Sequence, residues 1–331
     1  MSFPLFNAIK GTTAGTPGTG SFTPNTAATG FQPWSLVPSG WIGLVRYEDG
    51  TAWELSYGYW NATAITRPGN GFVSSSTGSQ LSLTSAATAA LISDAGAVQP
   101  NLGQHRLIGV FAQINSTTVH SSGFATSGST GTAAGQTPAA TNALTRQIRV
   151  QYTSATTANA YAGYSPNQGV PYSTTAGLGG VEFCATFGAS QLPTGPRLLV
   201  GLYSNSMSGQ TAEPSALNFA YAAFTKDSTD TNIQFTTNAS GTSGTKHADT
   251  GIPLTANGWY SVTIWTPPGG GVFYGLLIRR DTGDIWFGSA TTDLPADGTN
   301  LVPNLYGSLN GADTGTAFIM HMGQMTMRTA W

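Results

Sequence analysis

The sequence predicts an all-β protein, in which a small antiparallel β module precedes a jelly-roll β-sandwich. Three observations lead to this fold class. Short apolar runs with alternating polarity recur along the second half of the chain, as in strands with one buried face. Gly, Pro and Asn turn residues separate these runs, without a helical period. The 43 glycines and 18 prolines among 331 residues also disfavour helices.

The clearest strand signal lies in the middle of the chain. Residues 181–188, VEFCATFG, alternate apolar and polar side chains, which is typical of a half-buried strand. Pro193, Gly195 and Pro196 then mark a turn, and the apolar run 198–203 follows. We expect these two runs to form a hairpin or meander at the centre of an antiparallel sandwich.

Further short strands follow at regular spacing from Arg146 onwards, including NFAYAAF, NIQFTTN, WYSVTIW, VFYGLLIRR and TAFIMHMGQMTMR. Eight or more such strands favour a jelly-roll or concanavalin-like sandwich. The composition divides the chain into a flexible docking arm (1–30), a small β module (31–98), a linker with one strand (99–145) and the sandwich (146–331).

The charge content of the chain is unusually low. Only 12 Lys plus Arg and 14 Asp plus Glu are present, or 8% of the residues, against about 25% in an average soluble domain. A net charge of −2 offers no basic field for nucleic acid or an anionic membrane. No apolar run reaches the roughly 18 to 20 residues of a membrane span. We expect a subunit of a larger assembly, without nucleic-acid or membrane partners.

The first residues combine an apolar stub with a Gly/Thr-rich tract, and they lack the apolar core of a signal peptide. We expect the protein to stay in the cytosol where it is made. The stub can dock into a groove of another protein, or it can be a disordered terminus. The docking residues would be the apolar ones of the stub, Phe3, Leu5, Phe6 and Ile9.

A dense aromatic stretch follows the arm, and Asp49-Gly50 within it predicts a two-residue hairpin turn that pairs Arg46 with Trp53. The order GLVRYEDGTAWELSYGYW, ITRP, FVSSSTGSQLSLT resembles a small β module of tail and fibre proteins of tailed bacteriophages. The match covers about residues 41–92. This copy differs in having Tyr59-Trp60 after the Gly and Pro68 after the Arg.

The second half carries another resemblance. ADTGIPLTANGWYSVTIWTPPGGGVFYGLLIRRDTGDIWFGSATTDLP is similar to a C-terminal lectin-like domain of phage tail-fibre and head-fibre proteins. The resemblance covers about 146–331 and implies a virion protein, a homotrimeric fibre that attaches to polysaccharide on the host surface. The arm would bind other virion proteins of the capsid or tail. The alternatives are a capsid decoration protein without receptor binding and a polysaccharide-degrading tailspike.

One uncharged loop could bind a sugar, since carbohydrate sites combine aromatic faces with amide and hydroxyl groups. YAGYSPNQGVPYS supplies three tyrosines and two amides. The alternative is that the tyrosines pack a subunit interface. The candidate glycan contacts are Tyr161, Tyr164, Tyr172, Asn167 and Gln168.

No pattern indicates catalysis, a metal or a cofactor. Most Asp residues stand beside Gly, Thr or Asn, where they cap turns, and no G-x-S-x-G elbow occurs. His105, His120, His247 and His321 are too scattered for a zinc site. Cys184 lies in a strand run and is expected to pack there. We therefore expect a protein that is not an enzyme and needs no cofactor.

Overall fold

A computed structural model describes residues 9–37, 41–91, 106–113, 119–122, 129–166, 169–175, 180–204, 210–241 and 243–330. Strands make up nearly all of the regular structure in these residues, which confirms the all-β class. Short 3-10 turns accompany the strands at Trp34–Leu36, Gly69–Gly71 and Pro214–Ala216. No helix in the described ranges is long and apolar enough to span a lipid bilayer.

The chain divides into two compact units, one of residues 1–102 and 283–287 and one of residues 103–282 and 288–331. The first unit contains a seven-stranded antiparallel sheet in the order β2-β1-β7-β3-β4-β5, with β6 also paired to β4. Its strands are β1 (Lys10–Thr13), β2 (Pro24–Ala27), β3 (Trp41–Asp49), β4 (Ala52–Trp60), β5 (Ile65–Thr66), β6 (Phe72–Ser75) and β7 (Thr88–Leu91).

The prediction of a flexible arm over residues 1–30 is wrong for its second part. Residues of the Gly/Thr-rich tract form β1 and β2, and β1 pairs with β7. Gly11 is required there because a Cβ would lie 2.9 Å from the Trp34 ring, so a composition typical of linkers serves close packing. Ile9 is 2% exposed and belongs to the core of this unit. Phe3, Leu5 and Phe6 lie outside the described residues.

The predicted hairpin exists as β3 and β4, but its register differs from the prediction. Arg46 lies opposite Leu55 and not opposite Trp53, because the two-residue loop is Gly50-Thr51. Gly50 has a φ of +62°, a left-handed conformation that glycine adopts without strain. Asp49 is consequently the last residue of β3 and not a loop residue.

Two further antiparallel sheets contain the strands of the second unit, and the nine-stranded one also includes residues 284–287. The eight-stranded sheet has the order β10-β13-β23-β16-β17-β18-β19, with β14 also paired to β23. The nine-stranded sheet has the order β11-β12-β24-β15-β20-β21-β22, and β8, which pairs with β9, adds to β24. The eight-stranded sheet comprises β10 (Ser129–Thr130), β13 (Tyr161–Tyr164), β14 (Val170–Pro171), β16 (Arg197–Tyr203), β17 (Tyr221–Lys226), β18 (Asn232–Asn238), β19 (Thr245–Pro253) and β23 (Asn300–Ser308). The nine-stranded sheet comprises β8 (Arg106–Ala112), β9 (Val119–Ser122), β11 (Thr132–Gln136), β12 (Arg149–Thr153), β15 (Gly180–Gln191), β20 (Trp259–Thr266), β21 (Phe273–Arg279), β22 (Asp284–Ala290) and β24 (Ile319–Ala330).

The two sheets pack face to face as a sandwich. Phe224 and Phe235 of the eight-stranded sheet approach Gly275 of the other sheet so closely that a Cβ there would lie 3.0 Å or less from both rings. Tyr164 and Tyr152 meet across the same interface, with ring centroids 6.4 Å apart. The core of the second unit therefore lies between the two sheets.

The expected central strands are present as β15 and β16, but they do not form a hairpin. The alternating burial along β15 confirms that one face of this strand is buried. β15 belongs to the nine-stranded sheet and β16 to the eight-stranded sheet, so the turn around Gly195 crosses from one sheet to the other. Every residue of β16 is buried, which explains why its sequence is apolar without alternation.

The predicted linker 99–145 is also incorrect in part. The second unit starts at Gly103, and β8, β9, β10 and β11 lie within the range that we assigned to the linker. The low-complexity composition misled the prediction because three of these strands pair at sheet margins, where few large apolar side chains are needed.

Candidate functional site

The three predicted tyrosines do not form one loop site. Tyr161 and Tyr164 are the first and last residues of β13 and point to opposite faces of the eight-stranded sheet. Tyr164 is 4% exposed and packs into the core, and Tyr172 is fully buried against Phe273 with ring centroids 5.2 Å apart. Neither ring can stack on a sugar from solvent. Asn167 and Gln168 lie outside the described residues.

Tyr161 is half-buried and joins three other tyrosines on the face of the eight-stranded sheet that points away from the core. Two stacked pairs result. The rings of Tyr161 and Tyr306 have centroids 5.6 Å apart, and those of Tyr203 and Tyr221 have centroids 5.4 Å apart. We call this surface, formed by Tyr161, Tyr203, Tyr221 and Tyr306, the tyrosine face.

Register explains why these rings meet. Tyr203 lies directly opposite Tyr221 in neighbouring strands, at the separation where cross-strand aromatic pairs interact. Tyr161 lies opposite Ser308, two residues from Tyr306 on the same strand face. The sequence interpretation missed Tyr203, Tyr221 and Tyr306, whose only local signal was their alternating position in β-rich segments.

Residues 210–220, which we call the strap, run across the tyrosine face. The side chains of the sheet bind the strap through its backbone carbonyls. Tyr306 Oη donates a hydrogen bond to Gln210 O at 3.1 Å, and Tyr221 Oη donates to Pro214 O at 3.2 Å. Asn238 Nδ2 donates to the Leu217 carbonyl at 2.7 Å. The strap is thus held along its whole length by hydroxyl and amide groups of the sheet.

Charged groups hold the middle of the strap. Arg197 Nη2 lies 3.0 Å from Glu213 Oε1, and Arg197 Nη1 donates to Thr211 O at 2.9 Å. Ser215 of the strap donates to the Asp227 carboxylate, which also accepts from Lys246 Nζ at 2.7 Å. Several of the few charges in the chain are therefore used to fix this segment.

Burial raises the pKa values of the hydroxyl groups on the tyrosine face. It raises the pKa of Tyr306 to about 12 and raises the pKa values of Tyr203 and Tyr221 further. All three hydroxyl groups are consequently neutral near pH 7 and able to donate hydrogen bonds. The Tyr203 hydroxyl group is buried without a hydrogen-bond partner among the described residues.

This arrangement leaves aromatic surface accessible and uses the nearby carboxylates in hydrogen bonds and ion pairs. Tyr161 of the sheet and Phe219 of the strap are both half-buried, so an uncharged ligand can contact aromatic surface at either ring. The carboxylates of Glu213 and Asp227 are occupied by hydrogen bonds and ion pairs. Within the described parts of the chain, no group of three or more His, Cys, Asp or Glu is arranged to hold a metal ion.

No family model matches the chain, and no curated protein matches it significantly. Similar solved structures include a protein of unknown function from Shewanella oneidensis MR-1, with a TM-score of 0.45 and 14% identity over 72% of this chain and 95% of that chain. Basic winged bean lectin with Tn-antigen has a TM-score of 0.43 and 11% identity over 68% and 98%. Endo-β-1,4-glucuronan lyase from the fungus Trichoderma reesei has a TM-score of 0.36 and 10% identity over 54% and 80%. At these values the likeness assigns no function.

Proposed function

We propose that this protein is a structural virion protein of a tailed bacteriophage, a homotrimeric tail or head fibre whose second unit binds glycan on the host surface. Two sequence resemblances support the virion assignment, one at about residues 41–92 and one at about 146–331. The low charge content supports burial of surface between subunits, because a free monomer gains solubility from charge. Assembly in the host cytoplasm follows from this role.

The observation that carries glycan binding is the half-buried ring of Tyr161, stacked on Tyr306 at the margin of the tyrosine face. A pyranose ring presents C–H groups to an aromatic face and hydroxyl groups to amides and hydroxyls, and this margin offers both kinds of group. Gln210, a half-buried residue whose backbone carbonyl accepts from Tyr306 Oη, brings a side-chain amide into the same segment of the strap. The ligand that fits is a neutral saccharide.

In this proposal the first residues of the chain attach the protein to the particle. The apolar residues Phe3, Leu5 and Phe6 would insert into a capsid or tail protein. Ile9 does not take part, because it is buried in the first unit. Deleting residues 1–8 should leave both units folded and abolish incorporation into particles.

A glycan array tests the binding function. The wild-type protein should bind a defined set of bacterial surface glycans, and Tyr161→Ala should weaken binding by about 1–3 kcal/mol, or roughly 5- to 150-fold. Tyr274→Ala is the matched control, since Tyr274 is also half-buried and stacked, on Trp265 at 5.2 Å, but belongs to the other sheet. Equal losses in both variants, or no binding by the wild type, would contradict the proposal.

The strap favours a second candidate, capsid decoration without receptor binding. It occupies the hydrogen-bonding groups of the tyrosine face, so most of this face offers nothing to a ligand. Virion imaging separates the two roles. Copies that cover joints of the capsid shell, in a protein that binds no glycan, would establish decoration. Light scattering on the purified chain tests the homotrimer in either case.

A further inference from the structure

A buried arginine without a counter-ion lies at the start of β12. Arg149 is 5% exposed, yet no carboxylate of the described residues forms an ion pair with it. The sequence contains no Asp or Glu between Asp94 and Glu182, so its neighbours along the chain cannot supply one. Buried charges in proteins are normally paired, because an unpaired one is costly.

The hydrogen bonds of Arg149 leave part of its guanidinium unused. Nη1 donates to the carbonyls of Thr145 and Gln147, at 2.9 and 3.2 Å. Nε is buried and has no partner in the described part of the chain. The two carbonyls accept hydrogen bonds from only one nitrogen of the guanidinium group. Because they are neutral, they do not compensate the positive charge of Arg149.

A second unpartnered nitrogen lies beside it. His321 on β24 is opposite Gln151 of β12, so it is a diagonal neighbour of Arg149 on the same sheet face. Its Nε2 lies 2.9 Å from Ser190 Oγ, and its buried Nδ1 has no partner among the described residues. When the Ser190 hydroxyl donates to Nε2, the tautomer of the neutral ring places a proton on Nδ1.

The pKa values of both groups are lowered in this environment. Burial, and then the positive charge of Arg149, lower the pKa of His321 to about 3. Burial also lowers the pKa of the Arg149 guanidinium. An anion placed between them would relieve both effects, because a negative charge favours the protonated forms of both groups.

We propose that Arg149 and His321 form a binding site for an oxyanion, that is, for a carboxylate, phosphate or sulfate group. Arg149 Nε and Nη2 present the two parallel donors that match such a group. His321 Nδ1 adds a third donor from the neighbouring strand.

Nuclear magnetic resonance of the full ¹⁵N-labelled chain tests the site directly. Sodium sulfate, phosphate and acetate are titrated separately at constant ionic strength, and the Nε–Hε signal of Arg149 is followed. We expect a saturable shift with at least one of them. Arg149→Gln identifies the signal and should weaken anion binding tenfold or more, as followed on the His321 ring. Arg279→Gln is the matched control, because the Arg279 guanidinium already pairs with Asp281 at 2.8 Å.

Glucuronate and acetate distinguish the sources of a carboxylate. Tighter binding of glucuronate would assign the site to an acidic saccharide, and equal binding would assign it to the carboxylate group alone. No saturable shift with any of the anions, or an unchanged affinity in Arg149→Gln, would overturn the proposal. If Arg149→Gln does not fold, the wild-type titration alone decides, with Arg149→Lys to test whether the fork geometry matters.

Discussion

Arg67 Nη2 lies 2.6 Å from Glu54 Oε2, and both side chains are completely buried in the first unit. The guanidinium also donates to the carbonyls of Gly18 and Leu81, at 3.0 Å each, and lies over the Tyr47 ring at 4.7 Å. Glu54 in turn accepts from the Leu81 amide at 2.7 Å. This pair therefore ties five segments of the module together, those of Gly18, Tyr47, Glu54, Arg67 and Leu81.

Removing one partner of this pair should be strongly destabilising. Arg67→Ala leaves the Glu54 carboxylate buried without its cation, and we expect a loss of about 3–5 kcal/mol in the free energy of unfolding. Denaturant unfolding followed by tryptophan fluorescence measures it.

The matched control for that experiment is Arg46→Ala. Arg46 pairs with Glu48 at 3.0 Å, but the two side chains are 46% and 32% exposed. A pair of this kind contributes under about 1 kcal/mol. A loss in Arg67→Ala as small as that in Arg46→Ala would refute the central role of the buried pair.

The sequence correctly predicts strands with one solvent-facing side, such as β15, and fully buried strands, such as β16. β15 alternates polar and apolar residues because only one of its faces contacts the core. β23 was missed since Pro303 argues against a central strand. Pro303 pairs with Leu202 on one side only, and on the other side it falls between the segments that pair with β14 and β13. Its missing N–H group therefore leaves no ladder position empty.

The candidate site was predictable only in part for a similar reason. Tyr161 was found from its aromatic and amide neighbours, but Tyr306 becomes its partner through the pairing of β13 with β23, which no local pattern reports. The sequence predicts a loop at the residues of β13, partly because a glycine such as Gly163 is uncommon within a strand. A glycine is needed there because a Cβ would lie 2.0 Å from the carbonyl oxygen of Leu305.

Cys184 should be unreactive in the folded protein. Burial, and then the charge of Glu182, raise the pKa of its thiol from 9.0 to about 12, which lowers the thiolate fraction at pH 7 about a thousandfold. Ellman's reagent should react slowly with the native chain and rapidly in denaturant. Glu182→Gln should react faster than the wild type. Equal rates in native and unfolded protein would contradict this explanation.

The Glu213 contact makes the attachment of the strap sensitive to acid. Burial raises the pKa of Glu213, but hydrogen bonds from Ser228 and Arg197 outweigh burial, so the pKa lies below its ordinary value of 4.5. The ionised carboxylate therefore stabilises the folded state above pH 4.5, and this contribution is lost as the pH falls through the folded pKa.

Melting temperatures measured between pH 7 and pH 3 test this dependence. The wild type should lose stability on acidification by under about 1 kcal/mol from this group, because it is partly exposed. Glu213→Gln should be less stable at pH 7 and should lose less on acidification. Ser228→Ala removes the donor to Glu213 Oε1 and should lie between the two. Parallel curves for all three proteins would show that Glu213 does not contribute.

Loss of the hydroxyl group should affect stability differently at Tyr164, which lies in the core, and at Tyr221, which lies on the tyrosine face. The Tyr164 ring packs on Tyr152 in the core, and Tyr164→Ala should cost about 3–5 kcal/mol through the cavity that it leaves. Its hydroxyl group is buried without a partner among the described residues, so Tyr164→Phe should be neutral or slightly stabilising. Tyr221→Phe is the matched control, since that hydroxyl donates to Pro214 O, and we expect a cost of about 0.5–1.5 kcal/mol. Urea unfolding of the three variants decides. If Tyr164→Phe proves as costly as Tyr221→Phe, the Tyr164 hydroxyl group forms a hydrogen bond in solution. The assignment of this hydroxyl as a buried group without a partner would then be wrong.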